Sequence, residues 1–168
     1  MNPFVFQINV KPHNKERLGI PKNKVKKCKL NNNGLENDYN NFRYDKKKID
    51  SKMALLIISY DLIKYYNQNG WPVKPGDLGE NLIIKNLNYS TIKPNQKYQV
   101  GNTIIQITFK CDPCKKLRFL PYIGTSKINQ FIKFLIGKRG WYAKVLKTGT
   151  INQNDLFNLL DNDFKSIK

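Results

Sequence analysis

Thr103-Ile104-Ile105-Gln106-Ile107-Thr108-Phe109-Lys110 runs directly into Cys111-Asp112-Pro113-Cys114. Ile105, Ile107 and Phe109 alternate with Gln106, Thr108 and Lys110. That two-residue period is the mark of a half-buried strand. Shorter strand-like pieces flank it at Leu82–Ile84, Tyr98–Val100 and Tyr142–Leu146. Phe4–Val10 reads as a first strand, and Val25–Leu30, interleaved with lysines, as a half-exposed one. Met53–Ile58 is a continuous apolar run, as a buried strand requires. Two helices are expected. Ser59 caps one carrying Leu62, Ile63 and Tyr66 on a single face and stopping near Gly70-Trp71-Pro72. The other starts near Ser126, with Ile128, Phe131, Ile132 and Leu135 at helical spacing, and ends at Gly137. Pro75–Gly79 is a turn by composition, and the polar stretch Asn31–Lys48 a long loop. Many short strands and two modest helices without a strand-helix-strand rhythm predict a mainly β fold with a few helices, a barrel or a sandwich.

The chain of 168 residues carries 30 Lys+Arg against 12 Asp+Glu, a formal net charge of +18. A domain that basic is drawn to polyanions, and a nucleic-acid-binding module is the direct reading. The internal split weakens it. Arginine occurs only at Arg17, Arg43, Arg118 and Arg139, leaving 26 lysines. Arginine's planar fork reads phosphates and bases, whereas lysine is a generic solvated cation. Lysine and asparagine, both abundant here, have A/T-rich codons, so a low-GC genome supplies such a bias without selection for binding. No specific nucleic-acid partner is therefore expected. Trp71, Trp141, Tyr142 and Phe109 sit within strand and turn motifs, as core or pocket wall, and form no stacking stripe between basic residues. No run approaches the length of a membrane-spanning helix. The start, Met1 to Gln7, lacks the charged and apolar regions of a signal peptide. Three cysteines make no disulfide framework, so a reducing, cytoplasmic setting is expected.

The pair Cys111–Cys114 admits three functional readings. A zinc knuckle needs a second ligand pair, and only Cys28 and His13 remain. A redox dithiol of the thioredoxin kind should open a long helix, yet Pro121 interrupts any helix from Lys115. The third is a single functional thiolate at Cys114, where Lys110, Lys115, Lys116 and Arg118 favour the charged form. Against all three stands the common case of cysteine as a small buried apolar residue.

The wider pattern decides among these. Pro75-Gly76-Asp77-Leu78-Gly79-Glu80-Asn81-Leu82, the strand Asn102 to Thr108, Pro113-Cys114-Lys115-Lys116-Leu117 and Arg139-Gly140-Trp141-Tyr142-Ala143-Lys144-Val145 together resemble the MOSC family. These domains are related to the C-terminal domain of molybdenum cofactor sulfurases. Gly34-Leu35-Glu36-Asn37-Asp38 is similar to that family's Gly-Leu-x-Gly-Asp segment, with Asn37 in the glycine place because asparagine also accepts a left-handed backbone. The likeness runs from Phe4 to Thr150 in the family's order. It implies a closed antiparallel β-barrel of the pyruvate-kinase-like type, with residues 1–155 as the MOSC domain and 156–168 as a C-terminal tail or short helix.

The resemblance further implies a site for the molybdenum cofactor, a pterin dithiolene carrying a phosphate, with Cys114 as the metal ligand behind Pro113. A thiolate suits a thiophilic metal, and an anionic cofactor wants cations and backbone N–H groups. Arg43, Arg118 and Arg139 are the cationic candidates, with Arg139 foremost for the phosphate. Gly79, Glu80 and Asn81 form the turn, and Asn81 either reads the pterin edge or anchors the loop. The family's His-Gly-Gly stretch is replaced by Asp38-Tyr39-Asn40-Asn41-Phe42-Arg43-Tyr44. Proton supply then falls to Asp38, Asp112 or Tyr44. Asn154-Asp155 stands where relatives carry Gly-Asp.

The implied activity is reduction of N-hydroxylated bases or amidoximes, small-molecule substrates, with electrons from a donor protein. The alternative is a sulfur carrier that holds a persulfide on Cys114. It would depend on a sulfur-donor protein, because no pyridoxal phosphate domain is present. No membrane partner is expected.

Overall fold

The computed structural model describes residues 1–12, 18–40, 43–44 and 48–160. His13, weighed above as a zinc ligand, lies outside them, as does the segment 161–168. The strands are β1 (Phe4–Val10), β2 (Asn23–Val25), β3 (Lys27–Asn31), β4 (Gly34–Leu35), β5 (Leu55–Ser59), β6 (Leu82–Lys85), β7 (Lys97–Val100), β8 (Thr103–Lys110), β9 (Trp141–Lys147), β10 (Gly149–Asn152) and β11 (Phe157–Leu160). Among the described residues the long helices are α1 (Tyr60–Gln68) and α2 (Gly124–Leu135), with 3₁₀ turns at Ser51–Met53, Tyr89–Thr91 and Lys115–Phe119. As expected, Ser59 caps α1, its hydroxyl accepting from the Asp61 amide.

The closed antiparallel barrel expected from the resemblance does not form. Eight strands make one sheet in the order β11-β7-β8-β9-β5-β6-β1-β2, and three make a second in the order β10-β3-β4. Each sheet ends on two different edge strands, so neither closes on itself. The large sheet is also mixed: β5 and β6 run parallel, Ile57 opposite Leu82. Parallel neighbours need a crossover, and α1 with the turn behind it provides that connection. The expected strand Val25–Leu30 is broken at Lys26, where the chain leaves the large sheet and enters the small one. Among the described residues one isolated bridge, Phe4 with Leu156, ties β1 to the approach of β11.

β5 and β6 explain why Met53–Ile58 reads as unbroken apolar sequence. Leu55, Ile57, Leu82 and Ile84 face a core shared with the small sheet's Leu30, Leu35 and Ile151. Ile58 and Ile83 face the opposite core, where Ile63 and Tyr66 of α1 meet Phe131 and Leu135 of α2. Strands covered on both faces lose the alternation that half-buried β8 keeps. Among the described residues no helix is long and apolar enough to cross a membrane.

β9 enters the sheet through Gly140 at φ 116°, where an added Cβ would lie 2.6 Å from the carbonyl oxygen of Ile57. Only glycine fits such an approach. Gly140→Ala is expected to cost about 1–3 kcal/mol, read as a lower urea midpoint at unchanged slope.

Candidate functional site

The end of β8 and the start of β9 are held side by side, the Cys111 amide donating to the Gly140 carbonyl at 2.9 Å. From there Cys111-Asp112-Pro113-Cys114 loops out and turns into the 3₁₀ segment at Lys115. Arg139, just before β9, lies beneath this loop. Its Nη1 donates to the Asp112 carbonyl at 2.7 Å and approaches Cys114 Sγ at 3.8 Å. Its Nη2 donates to the Leu78 carbonyl at 3.1 Å, while Nε is buried without a partner. One guanidinium thus joins the Pro75–Gly79 turn to the cysteine loop. Burial opposes its charge, but the sulfurs of Cys111 and Cys114 more than offset that and hold its pKa above the ordinary arginine value.

Between these walls lies a cavity of about 430 Å³, lined among others by Cys114, Pro113, Arg139, Gly79, Lys22 and Tyr142. That volume falls in the range of small-molecule and cofactor sites. Asp112, Lys110, Lys116 and Phe109 also border it, Phe109 being 41 % exposed. Gly79 has φ 82°, with a Cβ position 3.1 Å from the Ile20 side chain. Among the described residues no three His, Cys, Asp or Glu side chains cluster as a metal cage, so Cys114 stands as a single protein thiol at this wall.

The structure brings Cys114, Pro113, Gly79, Arg139 and Asp112 to the cavity, sets Asp38, Glu80, Asn81 and Arg43 behind it, and leaves Arg118 and Tyr44 exposed away from it. Asp38 accepts both Lys22 Nζ contacts, at 2.7 and 2.5 Å, the Lys11 amide at 2.9 Å and Asn81 Nδ2 at 2.8 Å. It meets the cavity only through Lys22. Desolvation lowers the Lys22 pKa, and Asp38 acts against that shift. Asn81 is an anchor: Oδ1 accepts from the Leu56 amide, Nδ2 reaches Asp38 and Asn9, and its own amide donates to the Leu56 carbonyl. Glu80, fully buried, accepts the amides of Gly76 at 2.5 Å and Leu78 at 3.1 Å and so closes the turn. Arg43 is buried and donates to the carbonyls of Asn33 and Ala54, holding the Gly34 loop. Arg118 is exposed, stacked 5.1 Å from the Phe119 ring. Lys22 went unnoticed in the sequence, where nothing separates it from the other 25 lysines.

A sheet framework with a thiol-bearing, cation-lined pocket beside a glycine turn defines a class of small-ligand site. The family follows from comparison: a model of the MOSC domain matches residues 41–157, and the chain belongs to that family. Among solved structures it is similar to YiiM from Escherichia coli, with a TM-score of 0.71 and 21% identity over 96% of this chain and 70% of that one. YiiM from Geobacillus stearothermophilus gives a TM-score of 0.69 and 21% identity over 95% and 75%. The YuaD protein from Bacillus subtilis gives 0.72 and 14% over 92% and 93%. At such identities the likeness is one of fold. No curated protein matches by sequence.

Asp38→Leu leaves Lys22 buried without its counter-charge and should cost about 3–5 kcal/mol in urea unfolding, part of which Lys22→Met restores in the double variant. Burial raises the Glu80 carboxyl from 4.5 to about 7, against the pull of its amide donors. A raised folded value means that its stabilising contribution is full below about pH 4.5 and is lost as pH rises through about 7. Thermal melts of Glu80→Gln between those limits should lack that decline.

Proposed function

We propose that the cavity binds the molybdenum cofactor and that the protein reduces N-hydroxylated small molecules with electrons from a donor protein. The observation that supports this is the meeting of Cys114 and Arg139, far apart in sequence, at one cavity wall. The residues suit the group. Cys114 offers a soft thiolate. Arg139 has a buried Nε–H without a partner, and Lys22, Lys110 and Lys116 add cationic charge for a phosphate. Gly79 allows close backbone approach.

When bound, the cofactor supplies the two-electron redox chemistry of N–O cleavage. The chain's own residues hold, orient and protonate. Cys114 anchors the group, and Arg139 fixes the loop that carries Cys114. Phe109 and Tyr142 offer apolar walls to the substrate. Asp112 borders the cavity and can deliver a proton to the departing oxygen. Asp38 can act only through the Lys22 ammonium that it holds. The same reading takes the protein to be cytoplasmic.

Protein made in a host that synthesises the cofactor should contain about one Mo per chain, and Cys114→Ser should lose it. Mo-free protein that takes up sulfane sulfur on Cys114 would overturn the reductase reading in favour of sulfur carriage.

A further inference from the structure

The 3₁₀ turn at Lys115–Phe119 presents three faces, because side chains three residues apart eclipse one another in such a helix. Leu117 and Leu120 are buried on the inward face, in the core that also holds Ile128 and Phe131 of α2. Lys115 and Arg118 share the second face, which turns away from the cavity, and Lys116 and Phe119 share the third; all four are exposed. Lys116 borders the cavity, so the face it shares with Phe119 continues the cavity's rim outward. Phe109 and Lys110, also exposed, line the same cavity from the end of β8. The Arg118 guanidinium lies over the Phe119 ring and joins the second face to the third. Two exposed aromatic rings thus stand among exposed cations beside the cavity. These cations lack counter-charges. From 113 to 154 the sequence has nine lysines and arginines and neither aspartate nor glutamate. Asp50 and Asp112 are the carboxylates that border the cavity. Among the described residues the ion pairs are Lys22–Asp38 and Lys64–Asp61, and neither engages Lys110, Lys115, Lys116 or Arg118.

We propose that this rim is the docking face for an acidic electron-carrier protein. The occupant rests on the reductase reading above: turning an N-hydroxyl group into N–H and water takes two electrons and two protons, and the carrier, itself oxidised, supplies the electrons. Charge complementarity selects a carrier whose redox group is ringed by aspartate and glutamate. A carrier seated on the rim sits beside the wall that holds Cys114 and Arg139. Phe119 and Arg118 supply the close contact, since aromatic and arginine side chains dominate the desolvated centre of an interface. Lys110, Lys115 and Lys116 steer the approach. Redox complexes are small and transient, which suits a face built from a few exposed rings and charges.

The test titrates metal-free full-length protein against two fluorescently labelled acidic carriers, a plant-type [2Fe–2S] ferredoxin and a flavodoxin, at low and at near-physiological ionic strength. Lys115→Glu/Arg118→Glu should weaken binding of at least one carrier about tenfold or more. Phe119→Ala should weaken the same binding without changing its salt dependence, and it carries the test if the charge reversal unfolds the turn. Lys27→Glu/Lys29→Glu makes the same change of charge at exposed positions of β3, and should leave affinity within about threefold because distant exposed charges are screened. Binding of neither carrier at low ionic strength, or equal losses in the two charge-reversed proteins, would overturn the proposal. So would a single-stranded RNA oligonucleotide that Lys115→Glu/Arg118→Glu releases while carrier binding persists. Binding requires no metal. Mo-free protein that still docks through this face counts against the cofactor alone, and Mo-loaded protein indifferent to Lys115→Glu/Arg118→Glu counts against the docking face alone.

Discussion

One buried carboxylate holds the first third of the chain to the centre of the large sheet. Asp38 accepts four hydrogen bonds from three donors in separate regions: the Lys11 amide, the Lys22 ammonium twice, and the Asn81 side chain. A charge taken out of water at this depth is tolerated only when its lone pairs are met, so each donor is constrained by the others. Asn81 carries the constraint onward. It bonds β5 through Leu56 and β1 through Asn9, setting the register where the parallel pair begins. Lys22, stretched inward to reach Asp38, becomes a wall of the cavity. The lysine that lines the pocket is there because a carboxylate behind it demands a cation.

The elements legible in the sequence are those whose burial pattern is simple. β8 alternates because one face is solvated, β5 does not because both faces are covered, and α1 and α2 show their helical faces. The Ser59 cap of α1 and the left-handed Asn37, at φ 59°, follow from side-chain chemistry, whereas α2 begins at Gly124, two residues before the expected Ser126, with no side-chain cap. Whether a sheet closes is a different kind of property. It depends on which edge strands meet, and four-residue pieces such as Gly149–Asn152 and Phe157–Leu160 are too short to show a period. β10 pairs with β3 in the small sheet, and β11 becomes an edge of the large one. The strand pattern left barrel and sandwich open, and the closed antiparallel barrel came from family resemblance, which periodicity could not test.

The site divides along similar lines. Cys114, Pro113, Gly79 and Arg139 were found because rare residue types in a fixed order are conspicuous. Glu80, Asn81 and Arg43 were grouped with them as cofactor-binding residues, since a motif does not distinguish a residue that meets a ligand from one that shapes the backbone around it. Their buried bonds to main-chain amides and carbonyls show the second use. Lys22 was hidden for the opposite reason, being one of 26 identical residues. The +18 charge, so prominent in composition, has a local meaning at only a few of its members.

Arg139 reaches from the Leu78 carbonyl on one side to the Asp112 carbonyl on the other. The two walls of the cavity belong to separate turns, and a single rigid, planar group spans them. It works as a gauge block: the separation of the walls is the span of a guanidinium. A lysine there would keep the charge but surrender the spacing, leaving the mouth of the pocket without a fixed width.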